Sequence, residues 1–428
     1  MNYVPFVPEA IFPAQSERPI RPDASRLASA AAATLPTSFA ASEQQLARQL
    51  STLLDLNAPP HILATVCESF TSAATELLTR VRSDFPHNEP SSILTGLSDC
   101  HDHGRTVTSI TFRDSRCLIY KPRSLAIEEW FFALCRELEP RLPTLSVIPR
   151  DHYGYVEAAQ PRKCRTDDEL RLYYRNAGAL LCLLSVLQAR DVHFQNLIAC
   201  GTQPVLVDCE TLLQPTLRST ADIDLTRTGM VPRFSPTAEH NYDVSALGGT
   251  FTQPTHFELP NISAALAPSI NLASEEATLQ PAQYLNDMAD GFRSMYPSLS
   301  EHRDLLSRRI TAATDIPIRY LLRDTMDYHL ALGKIATGSS PGLALPTPAQ
   351  TATALHPDEL AQLSQLDVPR FTLPAGSRSL HSATDLFPRS GCDYALAALE
   401  SLSDAHLSRQ LDALRFTWNM YAISRALS

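Results

Sequence analysis

The chain has 428 residues, a formal net charge of −10 and 44% hydrophobic residues. This length allows two or three domains with a large core, and the acidic balance argues against a nucleic-acid partner. Nine cysteines without a C-x-x-C pair do not resemble a disulfide framework. Because no signal peptide opens the chain and no apolar stretch has bilayer length, the sequence predicts a cytoplasmic protein without membrane insertion.

The N-terminal third begins with an irregular segment and continues with helices. Residues 1–40 are rich in Pro and Ala, which predicts that this segment includes an irregular arm. From about Ser42 to Arg82, apolar residues recur at helical spacing. These two segments make up most of a predicted N-terminal region, residues 1–94.

A change of hydrophobic period marks the next element. Residues 106–121 form two short apolar runs around a polar turn, which predicts a β-hairpin ending at Lys121. Pro122 lacks an amide donor and ends the second strand. The amphipathic helix that follows completes a predicted small lobe, residues 95–160, and its apolar stripe consists of Ile127, Trp130, Phe131, Leu134, Cys135 and Leu138.

The remaining residues, 161–428, predict a larger lobe that is mainly helical. A capping box, Thr166 with Glu169, opens a buried helix that continues to about Arg190. A polar loop and a short strand, Val205 to Val207, follow it. Further on, the Pro- and Ser-rich stretch 336–375 predicts an exposed loop, and a single final helix is expected from about Asp393 to Ala426.

The polar loop after the buried helix carries the chemistry. Asp191 and Asn196 keep the five-residue interval of the catalytic loop of protein kinases, and Asp208 ends the next strand. A kinase needs a carboxylate to orient the attacking hydroxyl, Asn and Asp oxygens for Mg²⁺, and a Lys such as Lys121 for phosphate charge. A polar surface loop would account for Asp191 and Asn196 alone, but the ordered set favours a phosphotransferase.

Six sequence blocks and a seventh, weaker one resemble a known family. The seventh, Asp99–Arg105, is similar to a G-D-x-H-x-x-G-R motif with Ser98 in the place of the first Gly. In this order and spacing the blocks resemble the dehydratase domain of class II lanthipeptide synthetases, the LanM family. The six blocks are YKPRSL (120–125), DVHFQNLIA (191–199), PVLVDCETL (204–212), DVSALG (243–248), RYLLRDT (319–325) and DVPRF (367–371).

The resemblance implies an α+β fold of the protein/lipid-kinase type, with a small antiparallel β lobe and a larger, mainly helical lobe. It also implies two activities that use ATP and Mg²⁺. The first phosphorylates Ser and Thr of a ribosomal precursor peptide, and the second eliminates the phosphate to leave dehydroalanine or dehydrobutyrine. The family's zinc cyclase domain has no counterpart in this sequence, so ring closure is expected to be absent or to need a separate cyclase protein.

Carried over by position, the resemblance assigns roles to nine residues. Arg319 and Thr325 fall on positions for phosphate elimination, and their six-residue interval would place them on one face if both lay on a strand. The other assignments are Asp191 as the hydroxyl-orienting base, His193 as support for the loop, Asn196 and Asp208 as Mg²⁺ ligands, Lys121 at the phosphates, and Asp99 and His101 as positions needed for activity.

Three alternative functions stay open for a chain with these residues. A kinase that stops at phosphorylated Ser or Thr would need the same loop. A non-catalytic peptide-binding module is less favoured, because it would not require Lys121, Asp191, Asn196 and Asp208 together. Cys100, His101 and His103 suggest a metal-dependent hydrolase only weakly, because neighbouring side chains diverge on an extended chain.

The acidic residues near Lys121 and Asp208 also have predicted partners. Glu128 and Glu129 are both candidates for an ion pair with Lys121, since both lie on the helix that follows it. Glu210, two residues after Asp208, is a further candidate for the metal shell but is expected to cap or pair locally.

Overall fold

A computed structural model describes the chain over residues 19–139, 141–217, 225–232, 245–248, 273–274, 281–323, 325–338, 355–380 and 384–427. Part of the predicted arm (1–18), the start of the DVSALG block (243–244) and part of the predicted loop (339–354) lie outside these residues. The α-helices are α1 (Pro22–Ala32), α2 (Ala40–Asp55), α3 (Pro60–Asp84), α4 (Ala126–Leu138), α5 (Asp167–Val186), α6 (Leu285–Glu301), α7 (Arg303–Thr311), α8 (Thr325–Ala336), α9 (Pro357–Ser364), α10 (Gly391–Glu400) and α11 (Asp404–Leu427).

The strands form small antiparallel sheets. Five strands pair in the order β1-β2-β3-β5-β4, and two hairpin-like pairs, β6–β7 and β8–β9, lie elsewhere in the fold. The strands are β1 (Pro90–Leu94), β2 (Thr108–Phe112), β3 (Cys117–Lys121), β4 (Val147–Pro149), β5 (Gly154–Glu157), β6 (Leu197–Cys200), β7 (Gln203–Leu206), β8 (Pro317–Tyr320) and β9 (Phe371–Pro374).

The predicted hairpin is present, and its second strand occupies the centre of the five-stranded sheet. Thr108 pairs with Tyr120 and Thr111 with Cys117, as expected for two alternating strands around the turn 113–116. One face of this sheet packs against α3 in a separate apolar cluster. The position of Lys121, the last residue of β3, is therefore fixed by a packed sheet rather than by a loop.

The largest core surrounds α5, the predicted buried helix. Helix α5 crosses α6 very closely. A Cβ on Gly178 of α5 would lie 1.9 Å from the Met288 carbonyl oxygen, and a Cβ on Gly291 of α6 would lie 1.8 Å from the Arg175 carbonyl oxygen. Only glycine permits this approach of two backbones. The crossing fixes the end of α5, from which the polar loop 191–196 continues.

Several predicted boundaries are wrong for reasons that the structure shows. Within residues 1–40, α1 begins at Pro22, which occupies the first helical turn, where a missing amide donor costs nothing. The segment Ser42 to Arg82 breaks into α2 and α3 at Asn57, which has a φ of 55°. The capping residue of α5 is Thr166, which accepts from the Glu169 amide, but the Glu169 carboxylate reaches the amide of Arg165 rather than that of Thr166.

Further differences concern the ends of elements and the C-terminal part. The long helix ends at Val186 instead of Arg190, and the strand predicted from Val205 to Val207 is β7, Gln203–Leu206. Within the predicted loop 336–375, α9 and β9 are regular elements, and a capping box of His356 and Glu359 starts α9. The single final helix is divided into α10 and α11.

The described residues thus form a mixed helix and sheet fold with small antiparallel sheets, in agreement with the predicted α+β class at that level. The strand β1 lies before the predicted 94/95 boundary and pairs with β2 after it. None of the helices described is both long and apolar enough to cross a membrane.

Candidate active site

Lys121 occupies a buried position between the sheet and the β6–β7 pair. Its Nζ donates to the Val207 carbonyl at 2.7 Å and to Glu128 Oε1 at 3.2 Å, and it lies 3.4 Å from Asp208 Oδ1. With 4% of its surface exposed, its ion pairs are screened little by salt. The structure therefore brings Lys121 and Asp208 together, as the order of the sequence blocks predicts.

Of the two candidate partners on α4, the structure selects Glu128. Glu128 is fully buried and pairs with Lys121 and with Arg123, whereas Glu129 is exposed. Burial alone would raise the pKa of Glu128, but the two cations outweigh it and hold the pKa below its ordinary value. Glu128 is accordingly an ionised partner for Lys121 at neutral pH.

The loop 191–196 is held by its own polar groups. The Asn196 side-chain amide donates to the Asp191 carbonyl at 2.7 Å, and the Gln195 amide donates to His193 Nδ1 at 3.1 Å. Asp191 has a φ of 59°, in the left-handed region that costs a non-glycine residue energy. The side chains of His193 and Asp191 lie 3.9 Å apart. His193 thus supports the loop, and the loop fixes the backbone of Asp191.

The two candidate metal ligands stand at neighbouring points of the β6–β7 pair. The Val207 amide donates to the Asn196 carbonyl at 2.9 Å. Asp208 directly follows Val207, so this bond brings the backbones of Asn196 and Asp208 close together. The Lys121 amine, the Arg123 guanidinium and the Glu210 amide all approach the same oxygen of Asp208, Oδ1. A carboxylate and a carboxamide supply hard oxygen ligands, which is the donor chemistry that Mg²⁺ prefers.

Arg123 is a central residue that the sequence did not single out. Its guanidinium bonds to the carboxylates of Glu128, of Asp208 at 2.6 Å, and of Glu210 at 2.9 Å. The available signal was its place in the YKPRSL block, two residues after Lys121. Lys121, Arg123, Glu128 and Asp208 are called the Lys121 cluster below.

Glu210 is the centre of a second group. Besides Arg123, it accepts from Arg319 at 3.0 Å and from Arg370 at 3.1 Å, so it does not pair locally as expected. Burial would raise the pKa of Glu210, but the three guanidinium groups hold it well below its ordinary value. Glu210, Arg123, Arg319 and Arg370 form the Glu210 cluster, which shares Arg123 with the Lys121 cluster.

Asp99 and His101 lie beside the Glu210 cluster. Nδ1 of His101 is 2.7 Å from the Val368 carbonyl oxygen, which can only accept, so Nδ1 carries the proton. Burial and then the nearby Arg319 charge lower the pKa of His101 to about 4, so the ring is neutral at pH 7. The charges of Asp99 and Asp191 both act on Arg319, which places these two carboxylates near it.

Asp367 ties the loop of His101 to the DVPRF block. Its carboxylate accepts from the amides of His103 at 2.6 Å and Gly104 at 2.9 Å, and the Val368 amide donates to the Cys100 carbonyl at 2.8 Å. Two blocks separated by more than half of the chain therefore form one unit. Sequence reasoning quoted both blocks but did not predict this contact.

The spacing argument for Arg319 and Thr325 is wrong in its premise. Arg319 lies on β8, whereas Thr325 is the first residue of α8, so the two do not share one strand. Thr325 instead shares a helix face with His329, one turn later. His329 was not predicted as a site residue, and its Nε2 lies 3.4 Å from Asp99 Oδ1.

A cavity of about 530 Å³ opens between the five-stranded sheet and the β8–β9 pair. Its inner wall includes Glu210 and Arg123, so it leads directly to the Glu210 cluster. Its lining residues are Arg80, Asp102, His103, Arg105, Pro122, Arg123, Ser124, His152, Glu210, Pro317, Arg370 and Thr372.

The arrangement that a metal-dependent hydrolase would need does not form around Cys100. Across the described ranges, no group of three or more His, Cys, Asp or Glu side chains is placed to hold a metal ion. Burial, with Asp367 and Asp99 nearby, raises the pKa of the Cys100 thiol to about 12, so the thiol stays protonated at pH 7. His101 uses its Nδ1 in the contact with Val368.

A family model described as Domain of unknown function (DUF4135) matches residues 45–374, well over half of the chain. The chain belongs to this family. DUF4135 is a domain of the LanM type, so the resemblance to class II lanthipeptide synthetases is confirmed.

One curated relative of this DUF4135 chain is a protein of Lactococcus lactis subsp. lactis, named Lacticin 481/lactococcin biosynthesis protein LcnDR2. The two are 25% identical over 276 residues, which is 55% of this chain and 30% of the relative. The chain therefore spans less than a third of the length of that relative.

Proposed function

We propose that this DUF4135 chain transfers the γ-phosphate of ATP to Ser and Thr hydroxyls of a ribosomal precursor peptide and then eliminates the phosphate. The observation that carries the proposal is the buried contact of Lys121 with both Glu128 and Asp208, beside the loop of Asp191 and Asn196. Kinases require a lysine paired with a glutamate and a metal-binding aspartate at one nucleotide. A bilobal kinase-like fold is part of this proposal.

The loop residues have distinct tasks in the phosphotransfer step. Asp191 would orient the substrate hydroxyl and accept its proton as the new oxygen–phosphorus bond forms. The Asn196 side chain donates to the Asp191 carbonyl, which fixes the backbone that carries the Asp191 carboxylate. The His193 ring lies beside both residues. Because Asp191 sits in a strained backbone conformation, its orientation depends on these contacts.

Mg²⁺ and ATP fit the donor set near Lys121. Asn196 and Asp208 would hold the metal ion, which neutralises phosphate charge when it is bound. Lys121 would contribute a positive charge to the phosphates, and Glu128 keeps that amine in place. Since Lys121 and Arg123 both approach Oδ1 of Asp208, the second carboxylate oxygen is the better candidate for the metal.

Elimination would use the neighbouring Glu210 cluster. The step removes the Cα proton, forms a Cα–Cβ double bond, breaks the Cβ–oxygen bond and releases phosphate. Arg319 would neutralise the departing phosphate, Asp99 and Thr325 would line the same site, and Nε2 of His101, the ring nitrogen without a proton, would accept the Cα proton. The product would be dehydroalanine or dehydrobutyrine.

The comparisons support the substrate class. The curated relative is named for the biosynthesis of lacticin 481 and lactococcin, so we propose a lanthipeptide precursor as the substrate of this chain. Closure of thioether rings by a separate cyclase protein also remains a proposal. A cytoplasmic location would be consistent with the use of ATP.

The test is mass spectrometry of small peptides encoded beside the gene, after incubation with the protein, ATP and Mg²⁺. A peptide lighter by water supports the full proposal, and a peptide heavier by phosphate supports a kinase that stops after transfer. If no peptide changes mass, a non-catalytic peptide-binding module accounts better for the chain.

Asp208→Ala is expected to reduce phosphate transfer on the order of 10³-fold, since a metal ion contributes several kcal/mol of transition-state stabilisation. Glu129→Gln is the matched control, because Glu129 is an exposed neighbour of Glu128 on α4 and lies outside the cluster. ATP-dependent phosphorylation at the wild-type rate by Asp208→Ala would refute the proposed metal site.

A further inference from the structure

We propose that the arginine-lined cavity between the five-stranded sheet and the β8–β9 pair binds the phosphomonoester of a phosphorylated Ser or Thr side chain. This inference rests on the proposed function and extends it, because it assigns a place to the intermediate between the two steps. The phosphorylated residue would leave the nucleotide and be held by its dianionic phosphate before elimination.

The lining of the cavity offers several guanidinium groups to an anion. Four arginines line it, namely Arg80, Arg105, Arg123 and Arg370, against two carboxylates, Asp102 and Glu210. Each of these arginines already pairs with a carboxylate, Arg80 and Arg105 with Glu76 and Arg123 and Arg370 with Glu210, so a bound anion would share guanidinium groups with them. A phosphomonoester carries about −1.5 to −2 charges at pH 7 and offers three acceptor oxygens to such groups. An unmodified Ser or Thr side chain offers no such complementarity.

The two outer arginines share one partly exposed carboxylate as an ion-pair partner. Arg80 and Arg105 both pair with Glu76 on α3, at 2.5 and 2.7 Å, and the Glu76 side chain is 29% exposed. Partly exposed ion pairs contribute only about 0–1 kcal/mol, so a phosphate group that offers three acceptor oxygens can compete for the same guanidinium groups. Planar guanidinium groups also match phosphate geometry with paired hydrogen bonds.

The inner end of the cavity places a bound phosphate beside the proposed elimination residues. Arg123 and Arg370 reach Glu210 from the cavity, and Glu210 also binds Arg319. Two hydroxyl donors, Ser124 and Thr372, lie on the walls. A phosphate at this end would thus lie one side chain away from Arg319.

The cavity differs from the proposed nucleotide site. Among the described residues, its lining contains Arg123 but neither Lys121, Asn196 nor Asp208. The Arg123 guanidinium lines the cavity and bonds both to Asp208 and to Glu210, so it connects the two sites. Arg123 would be the point at which the phosphorylated side chain passes from one site to the other.

The test measures binding to the full-length protein without nucleotide or Mg²⁺ by isothermal titration calorimetry. The ligands are a capped Ala-phosphoserine-Ala peptide, the same peptide with unmodified serine, and inorganic phosphate. We expect the phosphopeptide to bind at least tenfold more tightly than the serine peptide, and inorganic phosphate to compete with it. If inorganic phosphate binds as tightly as the phosphopeptide, the same anion site is supported, and released phosphate is its ligand.

Arg80→Gln and Arg105→Gln are each expected to weaken phosphopeptide binding about tenfold, since each removes a charge-assisted hydrogen-bond donor. Arg113→Gln is the matched control and should bind normally. Arg113 lies on the β2–β3 turn, where it pairs with the exposed Glu89, and it does not line the cavity. Circular dichroism verifies that each variant is folded. If a variant does not fold, the difference in affinity of the wild-type protein for the two peptides still tests the inference.

Equal affinity of the wild type for the two peptides would overturn the inference. Unchanged phosphopeptide affinity in both folded variants would do the same. Failure of the proposed function is a separate result: phosphopeptide binding without any ATP-dependent phosphorylation would refute phosphotransfer and leave the cavity as a phosphoester site. Phosphorylation without a preference for phosphopeptide would refute the cavity alone.

Discussion

The Lys121 cluster and the Glu210 cluster are adjacent and both buried, but their charges differ. In the Lys121 cluster two cations face two carboxylates, whereas in the Glu210 cluster three guanidinium groups surround one carboxylate. The first is balanced, and because Arg123 belongs to both clusters, the two together have four cations for three carboxylates. A balanced cluster suits a site that binds a metal together with phosphates, and a surplus of arginines suits a leaving phosphate.

The two clusters also differ in how the chain assembles them. The Lys121 cluster combines the end of β3, the start of α4 and a residue just after β7. The Glu210 cluster adds arginines from β8 and from the DVPRF block, far along the chain. Local order therefore reveals the first cluster, and only tertiary packing reveals the second. Arg123 belongs to both and couples them.

The largest expected effect follows from removing the negative charge of Glu210. Glu210→Gln leaves Arg123, Arg319 and Arg370 without their shared carboxylate in a buried setting, which is expected to cost about 3–5 kcal/mol of unfolding free energy. The measurement is urea unfolding at pH 7. The matched control is Glu137→Gln, whose exposed pair with Arg309 should contribute at most about 1 kcal/mol.

The same variant gives a pH dependence with a defined sign. Because the pKa of Glu210 is lowered on folding, its stabilisation is fully present above its ordinary pKa of 4.5 and is lost as the pH falls through the lower, folded-state value. The stability difference between wild type and Glu210→Gln should therefore shrink below about pH 4.5. A difference that stays constant down to about pH 3 would contradict the ion-pair assignment.

The sequence predicted those parts of the fold and site that local patterns determine. The hairpin ending at Lys121 follows from alternating apolar residues, and α5 follows from its capping residue and its apolar faces. The convergence of Lys121 with Asp208 follows from the order of the blocks in a kinase-like pattern. Glu128 could be predicted only as one of two candidates. Whether Glu128 or Glu129 is buried depends on which elements pack against α4, and the local sequence does not show this.

The remainder depends on contacts between distant segments. Nothing near Asp367 indicates that its carboxylate binds the amides of His103 and Gly104, since the contact joins residues more than 260 positions apart. The interval from Arg319 to Thr325 suggested a strand, but the chain turns from β8 into α8 between them. An arginine in a sequence is expected at the surface, so the buried role of Arg123 was also beyond local patterns.

A smaller effect should separate the two clusters functionally. Arg319→Ala is expected to phosphorylate the peptide but to eliminate phosphate about 10²-fold more slowly, as for the loss of one group that stabilises developing charge. Phosphopeptide should then accumulate in a mass-spectrometric time course. Arg309→Ala, an exposed arginine on α7, is the control. Normal dehydration by Arg319→Ala would show that the Glu210 cluster does not act in elimination.

The smallest expected effect concerns His329, which links Asp99 to the helix of Thr325. Its Nε2 faces Asp99, and its buried Nδ1 has no hydrogen-bond partner within the described part of the chain. An imidazole held by a carboxylate presents its other nitrogen as an acceptor. His329→Gln keeps a donor for Asp99 but lacks the acceptor nitrogen, so elimination should slow about tenfold while phosphorylation is unchanged.

The conservative variant separates the two nitrogens of that ring. His329→Asn, whose amide can occupy the Nδ1 position, should recover part of the elimination rate lost in His329→Gln. The measurement is the same mass-spectrometric time course of phosphopeptide. If His329→Gln eliminates phosphate at the wild-type rate, His329 serves only to position Asp99, and the Nδ1 atom has no part in the reaction.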